Sequence, residues 1–174
     1  ATQIGGPRDP WVTPANAVAA AFKGCGPLLA PIAPDDEAPQ SAEVEACRLA
    51  LFALVRLRHY DALAAVALDD RSQPVSRWWP VAWALQRSGD ARARPALETL
   101  ARSAGVYTTA LAIRGLAGQP AVWPLARRFA LDAAADARVR VVAIRALGRP
   151  EAPEGVTTLL EVLATRDLPV TVTL

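Results

Sequence analysis

Few residues in this chain are of types that make and break bonds. Its 174 residues hold one histidine, His59, and two cysteines, Cys25 and Cys47. An imidazole base needs an orienting partner and a nucleophile, and nothing near His59 supplies them. It reads as a surface or helix-capping residue. The cysteines form no Cys-x-x-Cys and have no neighbouring histidine, so they make no zinc set. They stand either as buried free thiols or, in an exported protein, as a disulfide between an N-terminal arm and the first helices. Asp35-Asp36-Glu37 lacks the spaced ligands of a calcium loop and reads as a solvated acidic loop. Gly5-Gly6 and Gly24-Cys25-Gly26 lack the strand and helix that frame a nucleotide loop. No catalytic residue, metal or cofactor is expected.

What remains is the chemistry of recognition. Eighteen of the nineteen basic residues are arginine, Lys23 being the exception, and there are five tryptophans. Arginine offers planar donors for carboxylates and phosphates, and tryptophan offers broad apolar faces. A GC-rich genome also yields many arginines, so their position matters more than their number. The net charge is +2. Nine acids and five bases lie before position 71, and eight acids and fourteen bases from it onward. With 52% apolar residues the chain can build a core, which excludes a disordered tail. Its longest apolar runs, such as Leu49–Val55, fall far short of the ~20 residues of a membrane span.

Helices must position these side chains, and they are organised by a repeat. Ala53-Leu54, Ala84-Leu85, Gly115-Leu116 and Ala146-Leu147 follow one another at intervals of 31 residues. Ala50, Val81, Ala112 and Ala143 precede them in register, as do Leu51, Ala82, Ile113 and Ile144. Val139, Ala143, Ala146 and Leu147 have the spacing of one helical face. Earlier stripes, Ala93/Ala96/Leu97/Leu100, Val122/Leu125/Ala126/Phe129 and Val156/Leu159/Leu160/Leu163, predict a first helix in each repeat. Gly89, Gly118 and Gly148 suit C-caps, and Asp136 and Asp167 suit N-caps. Pro95, Pro124 and Pro153 sit near first-helix starts. Pro80 predicts a kink or a late start in its helix. A single hairpin cannot bury its stripe, but stacked hairpins can. The expected fold is therefore an all-α, right-handed α-solenoid of about 31 residues per repeat, with units near 42–88, 90–119, 120–150 and a half-repeat from 151. Residues 1–41 read as a Pro/Gly/Ala-rich cap or arm, with short helices near 15–23 and 27–32. The array, 42–174, stops inside its last repeat. With no methionine and Ala1 at its start, the chain is expected to be a piece of a longer protein.

Asp136-Ala-Arg-Val-Arg-Val-Val-Ala-Ile-Arg-Ala-Leu-Gly148 resembles the second helix of HEAT-like repeats of the short phycobilisome-lyase type, whose pattern is Asp-x-x-Val-Arg followed by Ala-x-x-Ala-Leu-Gly. Pro95-Ala-Leu-Glu-Thr-Leu100 is similar to their first helix. The likeness covers roughly residues 42–174. It departs at Arg77-Trp78 and Thr108-Thr109, where the Val-Arg pair is replaced. Ser76-Arg-Trp-Trp-Pro-Val-Ala-Trp-Ala-Leu-Gln-Arg87 more faintly resembles the repeat region of bacterial proteins that carry a cyclophilin-type peptidyl-prolyl isomerase domain. That likeness would make this chain a non-catalytic region beside an enzyme; whether the full-length protein is an enzyme stays open.

In such repeats the second helices line a concave surface. With Val139 at zero and about 100° per residue, Val141 and Arg145 fall near 200° and 240°, away from the core. The repeat carries that column back through Ala110/Arg114 and Trp79/Trp83 to Arg48/Phe52. The candidate binding residues are therefore Arg48, Phe52, Trp79, Trp83, Arg114 and Arg145. An aromatic patch edged by arginine marks a binding surface. It serves a protein or peptide segment, or a downstream domain of the same chain, unless residues 1–40 fill it in cis through Trp11, Phe22 or 27–34. A nucleic-acid face built from Arg77, Arg114, Arg140 and Arg145 is the second class, and the small net charge argues against it. A bilin-lyase activity would rest on fold likeness alone, with no paired carboxylates or triad behind it. The leading expectation is a non-enzymatic interaction scaffold. The compartment is not legible.

Overall fold

The computed structural model describes residues 12–165. Trp11, Asp167 and the expected final helix at Val170–Leu174 lie outside them. Among the described residues every regular element is helical, apart from one isolated bridge between Leu68 and Pro74. Two helices form the arm, α1 (Val12–Phe22) and α2 (Cys25–Leu29). Then follow α3 (Ala42–Leu57), α4 (Tyr60–Ala67), α5 (Trp79–Ser88), α6 (Arg94–Ala101), α7 (Val106–Leu116), α8 (Trp123–Leu131), α9 (Ala137–Leu147) and α10 (Gly155–Ala164).

Helices carrying the 31-residue column lie side by side: α3 packs on α5, α5 on α7 and α7 on α9. Between them α4, α6 and α8 pack against α5, α7 and α9 respectively. The in-register residues Ala50, Leu54, Val81, Leu85, Ala112, Leu116, Ala143 and Leu147 are all buried. Small residues recur where neighbouring helices meet, which lets the backbones approach closely. The arm belongs to the same core, since Ala15, Ala19, Cys25 and Leu29 cluster with the rest. On α10 the outcome differs from the expected stripe: Thr158 and Val162 turn inward, while Val156, Leu160 and Leu163 are exposed, because no described helix covers that face.

Helix ends follow local chemistry. Ser41, His59, Asp90 and Asp136 each accept an amide hydrogen bond at a helix start. His59 is thus a capping residue, its Nδ1 accepting from the Ala62 amide at 3.2 Å. Pro80 gives a late start: it occupies the first turn of α5, where a missing N–H is harmless. Gly89 and Gly118 have positive φ, but Gly148 does not (φ −72°) and ends α9 without left-handed geometry.

In the arm one open alternative is decided and one expectation is corrected. Cys25 and Cys47 are not free thiols but a disulfide that ties α2 to α3, with Cα atoms 5.8 Å apart. Asp35-Asp36-Glu37 is a solvated loop only in part: Glu37 is exposed, whereas Asp35 and Asp36 are half-buried. Residues 34–37 form a strap across the starts of α5 and α7. The Pro34 carbonyl accepts from the Trp79 amide at 2.7 Å. Asp35 accepts from the amides of Val106, Tyr107 (3.0 Å) and Thr108 (3.3 Å). The Asp36 carbonyl accepts from Trp78 Nε1 at 2.8 Å. Thr108 Oγ1, fully buried, reaches the carbonyls of both Arg77 (2.8 Å) and Pro34 (3.2 Å). Several otherwise unpaired donors of two helix starts are satisfied by one short segment.

Candidate binding groove

The groove lies across α5, α7 and α9. Its cause is a column of unequal side chains. Trp79, Ala110 and Val141 stand at one level, 31 residues apart, and Trp83, Arg114 and Arg145 stand one turn further along. The middle helix contributes alanine where its neighbours contribute tryptophan and valine, so a hollow opens over α7. Its volume is about 820 Å³, within the range of ligand sites. Trp79 and Trp83 form one wall, Val141, Val142 and Arg145 the other, and Ala110 and Leu111 the floor. Tyr107 and Arg138 close the end nearest the helix starts, with Glu37 of the strap and Asp136 at the rim.

Four of the six residues singled out from the sequence line this groove: Trp79, Trp83, Arg114 and Arg145. Phe52 lies behind it as a wedge. Its ring meets Trp83 edge-on at 4.6 Å between centroids and Trp79 at 6.4 Å. Arg48 is not in the groove. It pairs with Glu45 at 2.5 Å and lines a smaller hollow of about 410 Å³ on the other side of Trp79. Trp78, beside these aromatics in sequence, is 1% exposed and belongs to the core.

Tyr107, Leu111, Arg138 and Val142 escaped the sequence reading, although the signal was present. Ser76, Tyr107 and Arg138 form a further 31-residue column, three positions before Trp79, Ala110 and Val141. The strap's Glu37 had no such signal, because its place depends on hydrogen bonds made elsewhere along the strap. Of the arm, Glu37 alone reaches the groove among the described residues; α1 packs on α3 and α4 instead. Phe22 is half-buried against the core, and the segment 27–34 lines none of the groove.

The charges differ in their commitments. Arg92 is held by Asp61 and Asp90, and Arg127 by Glu154 and Glu161, both outside the groove. Arg114, Arg138 and Arg145 have no ion-pair partner among the described residues. The Arg138 guanidinium lies over the Tyr107 ring, 5.0 Å from its centroid. Stacking engages one face and leaves the N–H edges free. Arg114 and Arg145 are exposed at the groove's edge. Arg140, once grouped with them, is 4% exposed and sits between α8 and α9, where it donates to the Ala130 carbonyl. It is unavailable to a phosphate backbone, which corrects the basic face drawn from the sequence.

Among the described residues no group of three or more His, Cys, Asp and Glu side chains is placed to hold a metal ion. No described helix is long and apolar enough to cross a membrane. Comparison with known proteins gives no match: no family model, no curated protein and no solved structure matches this chain.

Proposed function

We propose that this chain is a non-enzymatic interaction module: a right-handed α-solenoid of HEAT-like hairpins whose second helices present a groove to a polypeptide segment. The support for the repeat is the match between the 31-residue column and the side-by-side order α3, α5, α7, α9. The observation that carries the function is the groove itself. It places half-exposed indole rings and three arginines, without carboxylate partners among the described residues, around a hollow that the described part of the arm leaves open. An aromatic wall supplies area for an apolar side chain, and arginine is over-represented in binding hot spots. Among the described residues the groove runs open across three neighbouring helices, α5, α7 and α9, which suits an elongated ligand.

The test fills the hollow. Ala110→Phe puts a ring on the groove floor at a half-buried position, where the helix backbone accepts it. A random twelve-residue peptide library displayed on phage is selected against the full chain. Selected peptides should lose their binding to Ala110→Phe while that variant melts cooperatively near the parent's midpoint. Peptides that bind both forms alike, or no enrichment over the Ala110→Phe form, would overturn the reading.

A further inference from the structure

From the same groove we infer the class of its ligand: a polypeptide segment in extended conformation, with a leucine or aromatic anchor flanked by carboxylates about three residues apart. This inference rests on the groove's being a polypeptide site. It follows from which charges have no ion-pair partner among the described residues. Arg114 and Arg145 occupy the same repeat position on α7 and α9, which pack directly on one another. Packed helices lie about 8–10 Å apart. An extended chain of the polyproline-II kind advances about 3.1 Å per residue with three residues per turn, so carboxylates three positions apart share a face and span about the same distance. Arg138, stacked on Tyr107, offers its N–H edge at the third corner. Between these cations lie Trp83, Leu111, Val141 and Val142, an apolar lining that an acidic residue could not occupy without losing its water. The ligand therefore alternates: charge over the arginines and an apolar side chain in the hollow.

A nucleic acid fits less well. Glu37 and Asp136 stand at the rim, where they would repel a continuous phosphate track. Discrete carboxylates can avoid both, because a peptide carries its charges only where its sequence puts them. Guanidinium–carboxylate pairs are directional and commonly two-pronged, and they reward this placement.

The test sequences the peptides selected above and measures them by fluorescence anisotropy with the full chain. Enriched peptides should carry Asp or Glu on both sides of a leucine or aromatic residue. Changing the acids to Asn and Gln should weaken binding by about tenfold or more, and raising NaCl should do likewise. Arg114→Glu/Arg145→Glu should reverse the preference toward lysine-bearing peptides. Selected peptides without acids, released by Ala110→Phe, would overturn the acidic class yet leave the polypeptide groove standing. Peptides insensitive to Ala110→Phe would remove both. A fluorescein-labelled single-stranded oligonucleotide that binds more tightly than any peptide, and is released by Ala110→Phe, would overturn the peptide ligand in favour of nucleic acid.

Discussion

The carboxylate of Asp35 caps α7 from outside, and it stands in the space that a side chain on Gly105 would need. A Cβ added at Gly105 would lie 2.7 Å from Asp35 Oδ1 and 2.4 Å from the Pro34 Cβ. Gly105 is the repeat equivalent of Asp136, which caps its own helix α9. At α7 the cap has been moved to a different part of the chain, and glycine leaves the room for it. The same contact anchors the strap that brings Glu37 to the groove.

Asp35→Ala should destabilise the protein by about 1–2 kcal/mol, the cost of a lost N-cap. Gly105→Ala should also destabilise it, and by more than the modest loss alanine ordinarily brings at an N-cap, because the strap must shift to admit a methyl group. The Gly105 backbone is unstrained (φ −82°), so the effect is steric. Urea unfolding followed by circular dichroism measures both. A Gly105→Ala variant as stable as the parent would show that the strap does not sit on α7.

The disulfide encloses the strap, since residues 34–37 lie between Cys25 and Cys47. Closing a loop of this length restricts the unfolded chain by about 3 kcal/mol in the entropic account. Reduction, or Cys25→Ser/Cys47→Ser, should lower the unfolding free energy by that order, and the unfolding midpoint with it. Selected peptides should bind more weakly once the strap has lost this tether. Equal midpoints with and without dithiothreitol would contradict the pairing.

Phe52 and Trp83 support one another edge-on, and Phe52 also touches Trp79. Phe52→Ala should therefore cost about 3 kcal/mol or somewhat less, given its partial exposure. The coupling with Trp83→Ala in a double-mutant cycle should be about 0.5–1.5 kcal/mol. Chemical denaturation of the four proteins gives the cycle. Simple additivity would mean that Phe52 does not hold the groove wall. Because Trp83 has this structural share, Ala110→Phe separates binding from folding more cleanly than removal of the tryptophans.

The order of helices was legible because burial repeats. Ala84, Gly115 and Ala146 fall in register on α5, α7 and α9, and a helical stripe is a local pattern. The groove was half legible for the same reason: Trp83, Arg114 and Arg145 share a column. Trp78, Thr109 and Arg140 share another. They differ in type, yet each is buried and donates to a backbone carbonyl, those of Asp36, Ser103 and Ala130. That common task is invisible in the letters, since an indole, a hydroxyl and a guanidinium can each perform it. Asp35 was misread because its partners lie more than seventy residues away and leave no spacing to recognise. Arg48 was misplaced in the groove because its helical phase was weighed without Glu45 three positions before it.

Between α5 and α6, Asp90 grips Arg92 through both carboxylate oxygens, at 2.9 and 3.0 Å, and also accepts from the Arg92 amide. The side-chain bonds to Arg92, then its backbone amide, hold the Asp90 carboxyl below its ordinary value. A lowered folded value means that the bond stabilises the protein at neutral pH. The contribution is complete above the unfolded Asp value of about 3.9 and is lost as pH falls from there through the folded value. Asp90→Asn should melt earlier than the parent at pH 7, and the gap should close toward pH 2. A gap that is independent of pH would contradict this.

The indole N–H signals in a proton–nitrogen correlation spectrum report on the groove without disturbing it. On titration with a selected acidic peptide, the Trp79 and Trp83 indole signals should shift in a saturable way. Those of Trp78, in the core, and Trp123, on α8 away from the groove, should hold their positions. Saturable shifts at Trp123 with Trp79 and Trp83 unmoved would place the binding surface elsewhere on the molecule and contradict the groove.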